Sequence, residues 1–335
     1  MTPPPSPNHT GADAPTHRND EPDFLDQPAS LLALPENIRT KAIEAYLHRR
    51  SKPVLVQTPV IESYFKTSTS ILDFDKVFPL GTIAKRWSKG IPIYPTSRHS
   101  VGRIRDHVSS TKTIVIEKLL EANIIVKAPK KRSSFLSNFF LVQKANNKVR
   151  PIMDYSHLGN HLKSPHFVLP SVYQIIRNKF KNFTNLFYIK LDLRAAFYNV
   201  PLKESSRYIT TFVYNSIRYQ MTKLPMGLSI SPFVMQRFSN AIVAKYKDMC
   251  TFAWAHIDDM LFAHSSPNEL KKIATALVKD LSAISWKISW DKSVLIPSRG
   301  ITYLGAHWGQ HAISRKAEVT TRKFRLEPGR RVCWV

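Results

Sequence analysis

Phe252-Ala253-Trp254-Ala255-His256-Ile257-Asp258-Asp259-Met260-Leu261-Phe262-Ala263 sets two adjacent carboxylates inside an otherwise apolar run. The apolar residues on both sides predict two short strands that meet at the acidic pair, with Asp258 and Asp259 on a tight hairpin turn. Burying unpaired carboxylates is costly, and a cation is the usual remedy. Taken alone, the pair fits a solvated Asp-Asp turn equally well.

Working upstream, Phe187-Tyr188-Ile189-Lys190-Leu191-Asp192 reads as a strand ending in a third carboxylate, followed by Leu193-Arg194-Ala195-Ala196-Phe197-Tyr198. By itself Asp192 reads as the cap of the next turn. Between the two acidic sites lies Leu224-Pro225-Met226-Gly227-Leu228-Ser229-Ile230-Ser231-Pro232. This is a Gly and Pro turn entering a helix, with Ser231 expected as N-cap and Pro232 at the first helical position. Val234, Phe238, Ala241 and Ile242 recur at helical spacing, so one face of that helix is expected to pack under a sheet. An acid-ended strand, a loop with a helix and an acidic hairpin come in the order of a polymerase palm.

On these ordered motifs, over about positions 95 to 310, the chain resembles the reverse transcriptases of retroviruses, hepadnavirus-like viruses and retrotransposons. The resemblance implies an α+β right-hand polymerase core. Its fingers would span about 95–185 and again 201–226, its palm the rest to about 310, and its thumb would be largely missing. The family's metal-binding aspartates fall on Asp192, Asp258 and Asp259, and the backbone carbonyl of Leu193 is implied as a further ligand. The template and base-supporting loop falls on Leu224 to Gln236, with Met226 and Gly227 at the nucleotide. Its Leu-Pro-Met-Gly form is closer to hepadnavirus-like enzymes than to retroviral ones.

The family's Tyr-x-Asp-Asp box falls on His256-Ile257-Asp258-Asp259, so His256 stands where the family has Tyr. That departure implies an altered primer contact or reduced activity, through a smaller ring that can carry charge. The aromatic five places after Asp192 is Phe197, expected beneath the incoming sugar, where it would collide with a 2′-hydroxyl and select deoxynucleotides. Tyr303-Leu304-Gly305 resembles the hairpin that holds the primer end. Lys292, in Trp286-Lys287-Ile288-Ser289-Trp290-Asp291-Lys292-Ser293, is a candidate proton donor to pyrophosphate, although a plain surface lysine is the better fit there. That segment alternates like a strand.

The implied reaction is RNA-directed DNA synthesis, in which a nucleotidyltransferase adds dNTPs to a primer on an RNA or DNA template. Such phosphoryl transfer suits two Mg²⁺ ions about 3.5–4 Å apart, with Mn²⁺ able to replace them. Mg²⁺ takes oxygen ligands and keeps waters, so carboxylates from two strands are suitable donors. Two rivals differ in class: a catalytically silent remnant that only binds nucleic acid, and an RNA-dependent RNA polymerase, which Phe197 and the His-Ile-Asp-Asp box disfavour.

The triphosphate needs cations as well. Phe139 to Gln143, a polar turn at Lys144 to Lys148, and Val149 to Asp154 read as a hairpin. From Ala122 to Met153 the chain holds Lys127, Lys130, Lys131, Arg132, Lys144, Lys148 and Arg150 with no acid. The resemblance implies that Lys144 and Arg150 bind the triphosphate, the Arg in bidentate fashion.

Composition agrees with a polyanionic partner: 49 Lys plus Arg against 24 Asp plus Glu give a formal charge of +25. The only cysteines, Cys250 and Cys333, argue against a disulfide framework and suit a reducing, intracellular setting, cytoplasmic or nuclear. No apolar run approaches the roughly 18 residues of a membrane span, and the Pro-rich start is no signal peptide.

Ser266-Pro267-Asn268-Glu269 is a capping box, and Leu270, Ile273, Ala274, Leu277, Val278, Leu281 and Ile284 then keep helical period, predicting a second helix under the palm sheet. Thr113 to Val126 reads as a helix running into a strand. Residues 1–30 are expected to be a disordered Pro-rich tail, and 31–94 an extension of unassigned role with a helix over Leu34 to Arg50. Residues 311–335 read as a basic tail or the start of a thumb. The whole resembles a piece of a truncated pol polyprotein, with the other polyprotein parts as expected partners.

Overall fold

A computed structural model of the chain describes residues 40, 60–61, 64, 69–129, 135–143, 148–169, 175, 185–309 and 313–315. The expected tail at 1–30, the helix at 34–50 apart from residue 40, the cations Lys130, Lys131, Arg132 and Lys144, and residues 316–335 lie outside them.

In chain order come β1 (Val60–Ile61), α1 (Ile71–Val77), α2 (Thr82–Trp87), β2 (Ser100–Val101) and α3 (Ser110–Glu121). Next are β3 (Ile125–Lys127), β4 (Phe135–Leu136), β5 (Asn138–Gln143), β6 (Lys148–Asp154) and β7 (Phe187–Asp192). β8 (Phe212–Tyr214) and β9 (Ile217–Met221) lead into α4 (Ser231–Tyr246), β10 (Phe252–His256), β11 (Asp259–His264) and α5 (Pro267–Ala283). The last are β12 (Val294–Ser298), β13 (Ile301–Tyr303), β14 (Ala306–Trp308) and β15 (Ile313–Arg315).

The sheet that carries the acidic residues has the order β10-β11-β7-β12 with antiparallel neighbours throughout. Side chains alternate across a strand, so β7 divides its residues between two faces. Ile189 and Leu191, with Met260 and Phe262 of β11, join the main core together with the buried residues of α4 and α5. Tyr188, with Leu261 and Ala263, belongs to a second cluster containing Ile301, Tyr303 and Trp308 of the β13–β14 hairpin. One face is thus roofed by two helices and the other by a small hairpin, and Asp192 ends β7 beyond that second cluster.

Helix α5 starts where the capping box placed it: the Ser266 hydroxyl accepts the Glu269 amide at 3.5 Å, and every residue of the predicted stripe is buried. Helix α3 begins three residues before the predicted Thr113, because Ser109 caps it by accepting the Lys112 amide at 3.3 Å. The start of α4 differs from expectation. Ser231 is the first helical residue rather than the cap, and its hydroxyl donates to the Pro225 carbonyl at 2.6 Å, closing the Gly-Pro loop onto the helix.

The segment Trp286 to Ser293 is not a strand. A single bridge joins Ile288 to Leu193, and a turn follows in which the Lys292 and Ser293 amides both donate to Ser289 O, at 3.1 and 2.9 Å. Only Trp286 and Ile288 keep the expected alternation of burial; Ser289 and Ser293 are buried by the turn itself. β12 begins only at Val294.

Residues 71–93, unassigned from sequence, pack into the main core. Phe74 meets Phe238 and Trp286 at ring-centroid distances of 4.7 and 4.9 Å, and Trp87 stacks on Phe238 at 6.0 Å. β15 adds a third strand to the β13–β14 hairpin, within the stretch read from sequence as a basic tail. Among the described residues, no helix is long and apolar enough to cross a membrane.

Candidate active site

Asp192, at the end of β7, is the direct cross-strand partner of Asp259, at the start of β11. His256 pairs with Asp259 across the hairpin, leaving Ile257 and Asp258 as the two-residue turn. The Leu193 amide donates to the Asp258 carbonyl at 3.1 Å, which ties the turn to the residue after Asp192. Two adjacent carboxylates and a third, 66 residues upstream of the first, therefore meet at one end of the sheet.

The turn itself is strained. Ile257 has φ of 56°, a conformation that β-branched residues seldom adopt and that costs on the order of 1–3 kcal/mol. Helix α4 holds it there. Gln236 Oε1 accepts the Ile257 amide at 2.7 Å, Gln236 Nε2 donates to Ala255 O at 2.9 Å, and the Ser239 hydroxyl donates to Ile257 O.

Asp192 is braced from the opposite side by the Ser289 turn. Its amide donates to Ser293 Oγ at 3.0 Å and its carbonyl accepts the Ser289 amide at 2.8 Å. The same turn carries Lys292, whose Nζ lies 3.4 Å from Asp192 Oδ1 with the lysine side chain 60% exposed. On the sheet face, Lys190 Nζ lies 3.6 Å from Asp259 Oδ2, both side chains being 18% exposed.

Burial raises the pKa of all three carboxyls. For Asp192, Lys292 opposes the rise and the Asp258 charge adds to it. For Asp258, its own backbone amide, Lys292, His256 and Arg150 oppose it. Asp259 is pushed up to about 7 by burial, against Lys190 and with the repulsion of Asp192 and Asp258. Its Oδ1 is buried with no hydrogen-bond partner among the described residues. Crowded, desolvated carboxylates with an orphaned oxygen fit a divalent cation. Among the described residues, no group of three or more His, Cys, Asp and Glu side chains forms a cage that could hold a metal ion. Mg²⁺ in phosphoryl-transfer sites completes its shell with waters and substrate phosphates, so the carboxylates here suit it without such a cage.

Around this centre, Arg150 is exposed on β6, opposite Val142 of β5, and its charge reaches Asp258. Phe197 is half-buried on a short 3-10 turn (196–199) entered through Ala195 at φ 50°. Met226 is half-buried and packs on the core. Gly227 is exposed at φ 87°, where a side chain would be strained although a Cβ would meet Met153 O only at an ordinary 3.6 Å. His256 is half-buried, its Nδ1 has no partner among the described residues, and burial lowers its pKa against the pull of Asp258.

Tyr303, expected at the primer, is fully buried, and its hydroxyl donates to Asp259 O at 3.1 Å. The tip of that hairpin is half-buried Leu304 with exposed Gly305, both at positive φ as a type I′ turn requires. Sequence reasoning missed Lys190, Ser289 and Ser293 as parts of the site. For Lys190 a signal was present, since residues two apart on a strand share a face and Asp192 is two places on.

Residues 142–308 match the family model described as reverse transcriptase (RNA-dependent DNA polymerase). The chain carries a reverse transcriptase domain. The Gag-Pol polyprotein of gibbon ape leukemia virus is 25% identical over 221 residues, covering 63% of this chain and 12% of the polyprotein. Protein P of duck hepatitis B virus (strain Germany/DHBV-3) is 26% identical over 208 residues, covering 58% of this chain and 26% of that protein. The chain thus spans between 12% and 26% of the length of these two relatives.

Solved structures agree on the fold. The foamy viral protease-reverse transcriptase in complex with RNA/DNA hybrid superposes with a TM-score of 0.57 at 21% identity, over 80% of this chain and 38% of that one. A second foamy viral protease-reverse transcriptase structure, in complex with double-stranded DNA, gives 0.55 at 17% identity, over 85% and 45%. The reverse transcriptase domain therefore has the mixed helix-and-strand architecture expected from its motifs.

Proposed function

We propose that this chain is the polymerase part of a viral or mobile-element pol polyprotein and that it synthesises DNA on an RNA template. The single observation that carries this reading is the pairing of Asp192 with Asp259 across adjacent strands, with Asp258 on the turn between β10 and β11. When bound, two Mg²⁺ ions would lower the pKa of the primer 3′-hydroxyl and neutralise charge on the leaving pyrophosphate.

Asp192 and Asp258 are the principal ligands in this reading, with Asp259 and the Leu193 carbonyl completing the set. Arg150, exposed and within electrostatic reach of Asp258, grips the triphosphate of the incoming dNTP. Lys144 has the same assignment on sequence grounds and lies outside the described residues. Lys292, beside Asp192, is the candidate proton donor to pyrophosphate. Phe197 lies under the sugar, Met226 and Gly227 support the base, and His256 with the Leu304-Gly305 tip adjoins the primer end.

The fingers are assigned to 95–185 and 201–226 and the palm to the remainder up to about 310. A net charge of +25 supports a template-primer duplex as partner and predicts steep salt dependence of binding. Primer extension on an RNA template with Mg²⁺ and dNTPs tests the reading. Extension by the wild-type chain and none by Asp258→Asn is the expected result, and product persisting in Asp258→Asn sinks the site assignment.

A further inference from the structure

Lys190 stands two residues before Asp192 in β7, so the two side chains leave the same face of the sheet. β11 places Leu261 beside it and β12 places Val294 on its other flank, and both neighbours belong to the apolar cluster beneath the β13–β14 hairpin. An ammonium among such neighbours needs a counter-charge. It has Asp259 Oδ2 at 3.6 Å, with both side chains only 18% exposed. The Lys292–Asp192 pair is different, because its lysine is 60% exposed and can leave at little cost.

We propose that Lys190 is a positioning residue that serves as a fixed counter-charge on Asp259 and thereby sets how tightly the reverse transcriptase site holds its divalent ions. The inference rests on the reading of Asp192, Asp258 and Asp259 as the metal-binding carboxylates, and it deepens that reading. The ammonium engages Oδ2, so Asp259 offers its unpartnered Oδ1 to a cation and is unavailable as a bidentate ligand. A positive charge held out of bulk water is weakly screened and repels a second cation entering the same face. Before a metal enters, the same charge offsets part of the mutual repulsion of the three carboxylates. Lys190 therefore lowers metal affinity while it stabilises the metal-free fold.

Mn²⁺ binding to the full chain, followed by electron paramagnetic resonance, tests this without recourse to activity. Lys190→Met, which fits the apolar flanks, is expected to bind Mn²⁺ about tenfold tighter than wild type. Lys190→Arg, which keeps the charge, is expected to stay within about twofold. In thermal melts, Lys190→Met is expected to fall below wild type without metal and to recover that deficit at saturating Mn²⁺. A purely structural lysine would lower both melts equally and leave Mn²⁺ affinity unchanged, and that result overturns the proposal. Should Lys190→Met fail to fold, Lys190→Gln gives the same comparison with the same expected sign. Absence of Mn²⁺ binding in every folded form, wild type included, overturns the carboxylate site itself and the role of Lys190 with it.

Discussion

Gln236 reaches from α4 to Ile257 in the acidic turn, its Oε1 accepting the Ile257 amide at 2.7 Å while its amide group donates to Ala255 O at 2.9 Å. The helix thereby holds a backbone conformation that isoleucine does not adopt freely. Gln236→Ala should strand the Ile257 amide and cost about 1–3 kcal/mol of stability, read by denaturant unfolding. Gln236→Glu keeps the acceptor and loses the donor, so it should lie between wild type and Ala. An Ala variant of wild-type stability and activity would refute the brace.

Asp258→Asn removes one charge from the turn while leaving its size unchanged. Primer extension should fall by about a hundredfold or more, the scale of losing one preorganised electrostatic group. Circular dichroism should show the fold retained.

The pH dependence follows from Asp259, whose folded pKa of about 7 lies above its ordinary value of 3.8. A carboxyl raised in this way contributes stability below about 4 that is lost as pH rises through 7, because the charged form is the one the fold disfavours. A divalent ion relieves that charge, so Mg²⁺ or Mn²⁺ should raise the melting temperature more at pH 8 than at pH 6. Equal metal-induced shifts at the two pH values would contradict the assignment.

Phe197→Ala opens the space assigned to the 2′ position of the incoming sugar. Ribonucleotide incorporation relative to deoxynucleotide should rise by about 10- to 100-fold, a range set by steric discrimination in apolar pockets. Unchanged sugar selection in single-nucleotide extension kinetics would remove Phe197 from this role.

Phe74→Ala tests whether residues 71–93 belong to the polymerase core. Loss of its contacts with Phe238 and Trp286 should cost about 3–5 kcal/mol, measured by chemical denaturation. A cost below about 1 kcal/mol would mark the segment as peripheral.

Much of this architecture was readable before any coordinates because its signals are local. The Ser266 box, the stripe from Leu270 to Ile284 and the acid-bearing hairpin each announce themselves within a single element. The failures come mostly from contacts distant along the chain, and in one case from a local loop. Phe74 has a local partner in Phe78, but Phe238 and Trp286, which tie Phe74 and Trp87 to the core, lie more than 140 residues downstream, so no periodicity near residue 74 reveals them. Trp286 to Ser293 suggests a strand because buried Trp286 and Ile288 flank exposed Lys287, yet from Ser289 the backbone turns and braces Asp192 instead of continuing a ladder. Ser231 resembles a cap, yet its hydroxyl is drawn to Pro225 O by the way the loop folds back. Lys190 reads as an isolated cation until β11 brings Asp259 alongside.

The hydroxyl of Tyr303 hangs from the backbone of Asp259, and the tip at Leu304 and Gly305 projects from the same small hairpin. One hydrogen bond thus links that hairpin to the acidic strand. Under the proposed assignment, a strand end resting on that tip would be referenced to the three carboxylates through one short length of folded backbone.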